Sequence, residues 1–344
     1  MAVKLVEATR GGMAESISRG DIAVADGEGR LIYYAGDPYK FTFMRSAAKP
    51  LQAMEALISG AAHRYGLNSR ETAVICASHY GEPVHRNAVE SILHKAGLDH
   101  SHLLCGTVTS LKSSYALQLA REGVELNPLF SDCSGKHAGM LAVCRHKGYP
   151  LENYTSPEHP LQQEIIQLIA DLCRYPLKDI ALGIDGCSVP VHALPLMNMA
   201  RGYARITTPG KLPEGQRSAA GYISEAMNRH PEMVAGSGGF CSSLMHNTHG
   251  KLIGKIGAEG VYCIGLRNKN TGIAVKLEDG NMNRLPPVVV ELLKQLNVLT
   301  PEESKALDVY HIIDNLNDLG QKVGSIRPVF ELKEGKQNRL NKDF

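Results

Sequence analysis

The sequence predicts a mixed α/β chain of the α+β kind, with an antiparallel sheet drawn from both chain ends and a mainly helical block inserted between them. Three observations predict it. Apolar runs of period two crowd into residues 1–42 and return from about residue 251. Residues 61–230 between them carry helical periodicity. Strand-rich ends far apart in sequence bury their faces most economically in one shared sheet. The expected units are a sheet-and-helix lobe from 1–60 together with 231–335, a mainly helical lobe over 61–230, and a frayed tail over 336–344.

The elements follow in order. Met1–Ala8 reads as a short strand. Ile22–Ala25 and Leu31–Tyr34, joined by Asp26-Gly27-Glu28-Gly29, read as a hairpin. Pro50 favours a helix beginning there, with Leu51, Met54, Leu57 and Ile58 as its apolar stripe and Lys49 at its N-cap. Thr72–Ile75 looks like a strand. Helical spacing then places helices at His85–Lys95, closed by Gly97, at Leu161–Cys173, His192–Arg201 and Ala219–Met227. Lys251–Gly257, Val261–Leu266 and Ile273–Leu277 form a second strand cluster with a turn at Asn268–Gly272. Val288–Leu296 is helical, Thr300-Pro301-Glu302-Glu303 has the form of a capping box, and Val329–Leu332 reads as a last strand. From Lys333 onward the chain is polar and expected to fray.

Composition narrows the class of function. The 344 residues are 43% hydrophobic and 21% charged with a formal net charge of +2, the balance of a soluble globular protein. No basic run suggests nucleic acid, and no apolar stretch reaches membrane-spanning length. The N-terminus lacks the apolar core of a signal peptide, so a cytoplasmic location is expected. The eight cysteines include no C-x-x-C pair, which fits buried thiols in a reducing compartment.

The chemistry gathers around Arg45-Ser46-Ala47-Ala48-Lys49-Pro50. A serine and a lysine three apart share one helical face, so a lysine relieved of its proton can activate the hydroxyl. Taken alone, the pattern favours a surface serine beside a solvated lysine. Four further polar stretches lie between apolar segments: Cys76-Ala77-Ser78-His79-Tyr80-Gly81-Glu82, Ser131-Asp132-Cys133-Ser134-Gly135-Lys136-His137, Gly183-Ile184-Asp185-Gly186-Cys187-Ser188, and Lys255-Ile256-Gly257-Ala258-Glu259-Gly260. Lys255-Ile256-Gly257 is similar to the Lys-Thr-Gly strand of serine acyl-transferases, and also to an edge-strand lysine beside a bulge. Spacing alone makes Cys133, Lys136 and Cys187 a weak metal set, because lysine must be neutral to ligate. His79 and His137 fit structural histidines, Asp185 a turn residue or a grip for an ammonium group, and Cys241 a loop thiol.

Together with Arg10–Ser16, these stretches occur in an order that resembles the asparaginase II family, also called rhizobial or class 3 L-asparaginases, from the first strand to about residue 300. The resemblance implies a fold related to serine β-lactamases and glutaminases, and hydrolysis of L-asparagine to L-aspartate and ammonia. It implies paired sites Ser46 with Lys49 and Ser78 with Lys255, with Ser46 as nucleophile. It further implies zinc held by Cys133, Lys136 and Cys187, a pocket lined by Arg45, His137, Asp185 and Cys241, and a homodimer. One departure is Gly238-Gly239-Phe240, where the resemblance leads us to expect an arginine. The expected mechanism has Lys49 held neutral by Arg45 and Lys255 so that it takes the proton of Ser46. The rival readings are a β-lactamase or peptidase-like hydrolase and a zinc-stabilised protein without activity.

Overall fold

The two ends of the chain do share one sheet. In this computed structural model, which describes residues 1–335, the strands of the larger sheet are β1 (Val3–Arg10), β2 (Met13–Asp26) and β3 (Leu31–Ala35) from the start of the chain. The smaller sheet is made of β4 (Phe41–Phe43), β5 (Ala181–Ile184) and β6 (Pro190–Pro195), in the order β4-β6-β5. The larger sheet is completed by β7 (Leu252–Gly257), β8 (Val261–Leu266), β9 (Thr271–Leu277), β10 (Ile313–Leu316), β11 (Lys322–Pro328) and β12 (Lys333–Glu334). Its main path runs β10-β11-β1-β2-β9-β8-β7, and β3 and β12 extend from the far half of β2. All its pairings are antiparallel. The fold is thus mixed α/β, with the helical block inserted as the sequence predicts.

Every residue of β8 is buried, so both faces of the sheet are covered there. One cover is the Leu196–Thr207 helix, which packs on β2, β8 and β9. It sits close because two paired glycines carry no side chain beneath it: a Cβ at Gly272 would lie 1.8 Å from the Ala200 carbonyl oxygen, and one at Gly265 2.5 Å from Thr207. In the inserted block the Lys49–Ile58 helix is central and buries Lys49 through Ala56 without interruption. It packs on the Ser134–Lys147, Pro160–Cys173 and Glu214–Arg229 helices.

Several elements differ from the sequence reading, each for a local reason. Thr72–Ile75 lies in the Ser69–Ile75 helix, begun by a capping box in which Asn68 and Glu71 satisfy each other's backbone N–H groups. The expected His192–Arg201 helix is β6 up to Pro195 and helix only from Leu196. Val329–Leu332 is no strand. The Gln295 side chain takes the Phe330 carbonyl and the Leu332 N–H, leaving fewer backbone groups for a ladder. Lys333 and Glu334 do not fray but pair with Tyr34 and Tyr33. Residues 336–344 lie outside the described residues.

Candidate active site

The helix that carries Lys49 begins one residue earlier than Pro50 suggests. A 3-10 turn over Arg45–Ala48 runs straight into it, Ala48 is the N-cap, and Lys49 has helical dihedrals (φ −56, ψ −41). A residue before proline is normally driven out of that region. Lys49 stays there while its buried amine is tied down by four contacts. Its Nζ donates to the Ala77 carbonyl at 2.6 Å and to Ser78 Oγ at 3.0 Å, with the Asp132 carbonyl and carboxylate both at 3.5 Å. Arg45, immediately before Ser46, is left-handed at φ 50, a conformation costly for arginine and common where a loop is shaped for a site. The end of β7 presses on this turn. A Cβ at Gly257 would stand 2.6 Å from the Met44 carbonyl oxygen, so the Lys-Ile-Gly glycine is a requirement of close approach. From the other side the buried Tyr203 hydroxyl donates to the Ala47 carbonyl at 2.6 Å.

Lys255, on β7, is fully buried and reaches the same hydroxyl: its Nζ lies 2.8 Å from Ser78 Oγ and 2.8 Å from the Ile256 carbonyl. One serine therefore stands between two buried lysines. The pairing differs from the expected Ser46 with Lys49, because Lys49 turns to Ser78. Ser46 is half-buried and more accessible than Ser78, which is 7% exposed.

The two lysines are shifted in opposite directions. Burial works against the charge of Lys49, but the negative charge of the Cys133–Cys187 pair and of Asp132 outweighs it and holds the ammonium above the usual lysine range. Burial, reinforced by repulsion from Lys49, pushes Lys255 down to about 8. That direction runs against the expectation of a neutral Lys49; of the two, Lys255 is the lysine nearer neutrality. Arg45, invoked as a second repelling cation, is instead paired with Asp185, its Nη2 and Nε donating to Oδ1 at 2.9 and 3.1 Å. That pair is partly exposed, and Asp185 Oδ1 also accepts from the Gly186 N–H.

The thiols form a second cluster next to the first. Lys136 Nζ donates to Cys187 Sγ at 3.0 Å, and Cys133 Sγ donates to the Asp132 carboxylate at 3.5 Å. The neighbouring Cys133, together with the Lys136 ammonium, lowers Cys187 from the usual thiol range, while the neighbouring Cys187 and burial raise Cys133. His137 lies behind this cluster, fully buried. Its Nδ1 is hydrogen-bonded to the Tyr154 hydroxyl at 2.6 Å, and that oxygen also receives the Leu104 N–H. Its Nε2 is buried without a partner. Among the described residues no three His, Cys, Asp or Glu side chains are grouped to hold a metal. The available set is Cys133, Cys187 and Lys136, close together, rich in soft donors and next to an unpartnered ring nitrogen. That chemistry suits zinc once Lys136 gives up its proton.

The Cys241 sulfur accepts from the Ile256 N–H at 3.2 Å and the Tyr262 hydroxyl at 3.4 Å, so it is held against β7 next to Lys255. Sequence reasoning passed over Asp132, Tyr154 and Tyr203. Asp132 was legible as the one acid beside Cys133; the two tyrosines carry no local signal.

The chain matches the L-asparaginase II family over residues 6–328. It belongs to that family. Membership makes it an amidohydrolase, and bears out the resemblance carried by the sequence motifs. No curated protein matches this asparaginase II family member. Among solved structures it is similar to a β-lactamase from Mycobacterium bovis, at 14% identity and a TM-score of 0.41, over 80% of this chain and 94% of that one. It is also similar to Mglu in its tris and glutamate form, at 17% identity and a TM-score of 0.37, over 86% of this chain and 64% of that one. Likenesses this remote carry no argument about chemistry. Among the described residues no helix is long and apolar enough to cross a membrane.

Proposed function

We propose that this chain hydrolyses L-asparagine to L-aspartate and ammonia through a serine ester. The observation that carries the reading is the chain of contacts Lys49–Ser78–Lys255, which joins a charged lysine to one poised to accept a proton. Ser46 Oγ attacks the side-chain amide carbon. Lys49 passes a proton through Ser78 to neutral Lys255 and takes the Ser46 proton in its place. The tetrahedral intermediate expels the amide nitrogen, which leaves as ammonia after receiving a proton back along the same path. Water then attacks the ester carbon and gives its proton to the relay, which returns it to Ser46 Oγ as the Ser46–carbon bond breaks and aspartate is released. Arg45 holds the substrate's α-carboxylate and Asp185 its α-ammonium, each group of the zwitterion meeting the member of the pair with opposite charge.

Cys133, Lys136 and Cys187 are the residues that would hold zinc, which when bound supplies positive charge for the substrate's carboxylate. Cys187→Ser is expected to lower the zinc content of the purified protein several-fold by atomic absorption; unchanged content removes the metal from the proposal. The proposed assembly is a homodimer, measurable by sedimentation.

Ser78 as nucleophile is the second reading, favoured by its two lysine contacts. A quenched reaction followed by peptide mass spectrometry separates the two. An aspartyl ester on Ser46 is expected, with turnover abolished in Ser46→Ala. An ester on Ser78, with Ser46→Ala active, reverses the roles. Absence of ammonia from asparagine, with turnover of nitrocefin, supports a β-lactamase instead.

A further inference from the structure

Away from the serines, three arginines stand together, and among the described residues no acid is paired to them. Arg174 ends the Pro160–Cys173 helix in left-handed backbone at φ 49. Asn198 donates to the carbonyls of Cys173 at 3.0 Å and Arg174 at 3.2 Å, which fixes this turn against the Leu196–Thr207 helix. Arg201 and Arg205 follow Asn198 by three and seven residues, so all three lie along one face of that helix. The turn of the first hairpin lies over them. A Cβ at Gly29 would come within 3.0 Å of the Arg201 guanidinium carbon, and one at Gly27 within 3.2 Å of Arg205 Cγ.

Among the described residues, the three arginines make one side-chain hydrogen bond, from Arg201 Nε to the Gly27 carbonyl at 3.2 Å, and no ion pair. Arg205 Nε is buried with no partner. The nearby carboxylates are already engaged. Asp26 accepts from the Glu28 and Arg30 N–H groups and from Arg30 Nε, while Glu28 is held by Lys211 and Asn270 Nδ2. Burial and repulsion from Arg174 both lower Arg201 and Arg205 from the usual arginine range. Like charges one helical turn apart cost stability, and an unpartnered buried donor costs more. An oxyanion of more than one charge relieves both costs, and guanidinium forks match the oxygens of phosphate.

We propose that Arg174, Arg201 and Arg205 bind a tetrahedral phosphate dianion, either free or as the terminal group of a small phosphomonoester. Three positive charges and one orphaned N–H fit a divalent oxyanion better than a single carboxylate. The site is separate from the serines and does not depend on the proposed amide hydrolysis.

The test is calorimetric titration of the whole protein with inorganic phosphate and, separately, with glycerol 3-phosphate, at constant ionic strength and with chloride as the competing anion. One saturable site per chain is expected in at least one titration, and which of the two saturates identifies the source. Arg205→Gln and Arg174→Asn are each expected to weaken it at least tenfold. Arg174 is exposed and asparagine tolerates its backbone, so that variant serves should Arg205→Gln not fold. Failure of both anions to saturate, or full binding in Arg174→Asn, overturns the site.

Discussion

Lys49 and Lys255 share one hydroxyl and complete burial, yet they sit on opposite sides of the ordinary lysine range. What differs is the company each keeps. Lys49 faces two carbonyls, a carboxylate and the thiol cluster, which together repay the loss of water. Lys255 faces a carbonyl, a serine and the positive charge of Lys49. Burial alone lowers a lysine; the neighbours decide whether it stays lowered. The difference gives the site a fixed cation and a proton acceptor from the same side chain.

Replacing Lys255 tests the comparison most severely. Lys255→Met is expected to lower kcat by about 10²–10⁴-fold, the range for loss of a general base. The same variant should be more stable at pH 7. A shift from 10.5 to about 8 amounts to about 3 kcal/mol of unfavourable burial that the variant no longer carries, an upper bound because the contacts to Ser78 and Ile256 go too. Denaturant unfolding with unchanged or lowered stability, alongside normal kcat, would erase the contrast between the two lysines.

The pH dependence sharpens it. Lys255 works neutral, so kcat/KM should rise with pH through about 8 and level off above. Because the unfolded chain holds that proton up to about 10.5, wild-type stability should also climb between about 8 and 10.5. Asp132 raises Lys255 through its charge, so Asp132→Asn should move the rate limb to lower pH with a loss in kcat of about tenfold. A limb that stays in place would place Asp132 outside the electrostatics of the pair. The smallest effect is expected for Tyr203→Phe. It removes the hydrogen bond to the Ala47 carbonyl at a cost of about 1 kcal/mol, lowering kcat a few-fold with KM unchanged. A change in KM alone would move Tyr203 from positioning the serine turn to shaping the substrate pocket.

Much of the frame was legible because alternation and turn chemistry are local. The hairpin at Asp26–Gly29, the three strands over 252–277 and the Thr300 cap needed nothing beyond their own residues. Errors fell where a distant partner decides. Gln295 takes the hydrogen bonds of Phe330 and Leu332, and Thr72 with the three apolar residues after it suits either secondary structure until Asn68 caps the helix. The same division holds in the site. Motif order named the loops, but that Lys49 and Lys255 both meet Ser78, and that they are shifted in opposite directions, depends on Asp132 and the thiols across the cleft. His137 and Cys241 are held in place by Tyr154, Ile256 and Tyr262, contacts that no spacing rule contains.

The place of β1 has a consequence for how the protein is made. It lies between β2 and β11, and its Glu7 pairs with Arg327, 320 positions later. On the ribosome, the first hairpin and the whole helical insertion emerge before the strands that flank them on either side. The apolar faces of β2 and of the Leu196–Thr207 helix must wait uncovered for β7–β9, and β1 waits longer still for β11. A chain stopped short of residue 322 therefore lacks a neighbour for β1 and leaves an open sheet edge, a form prone to aggregation and not a smaller working enzyme.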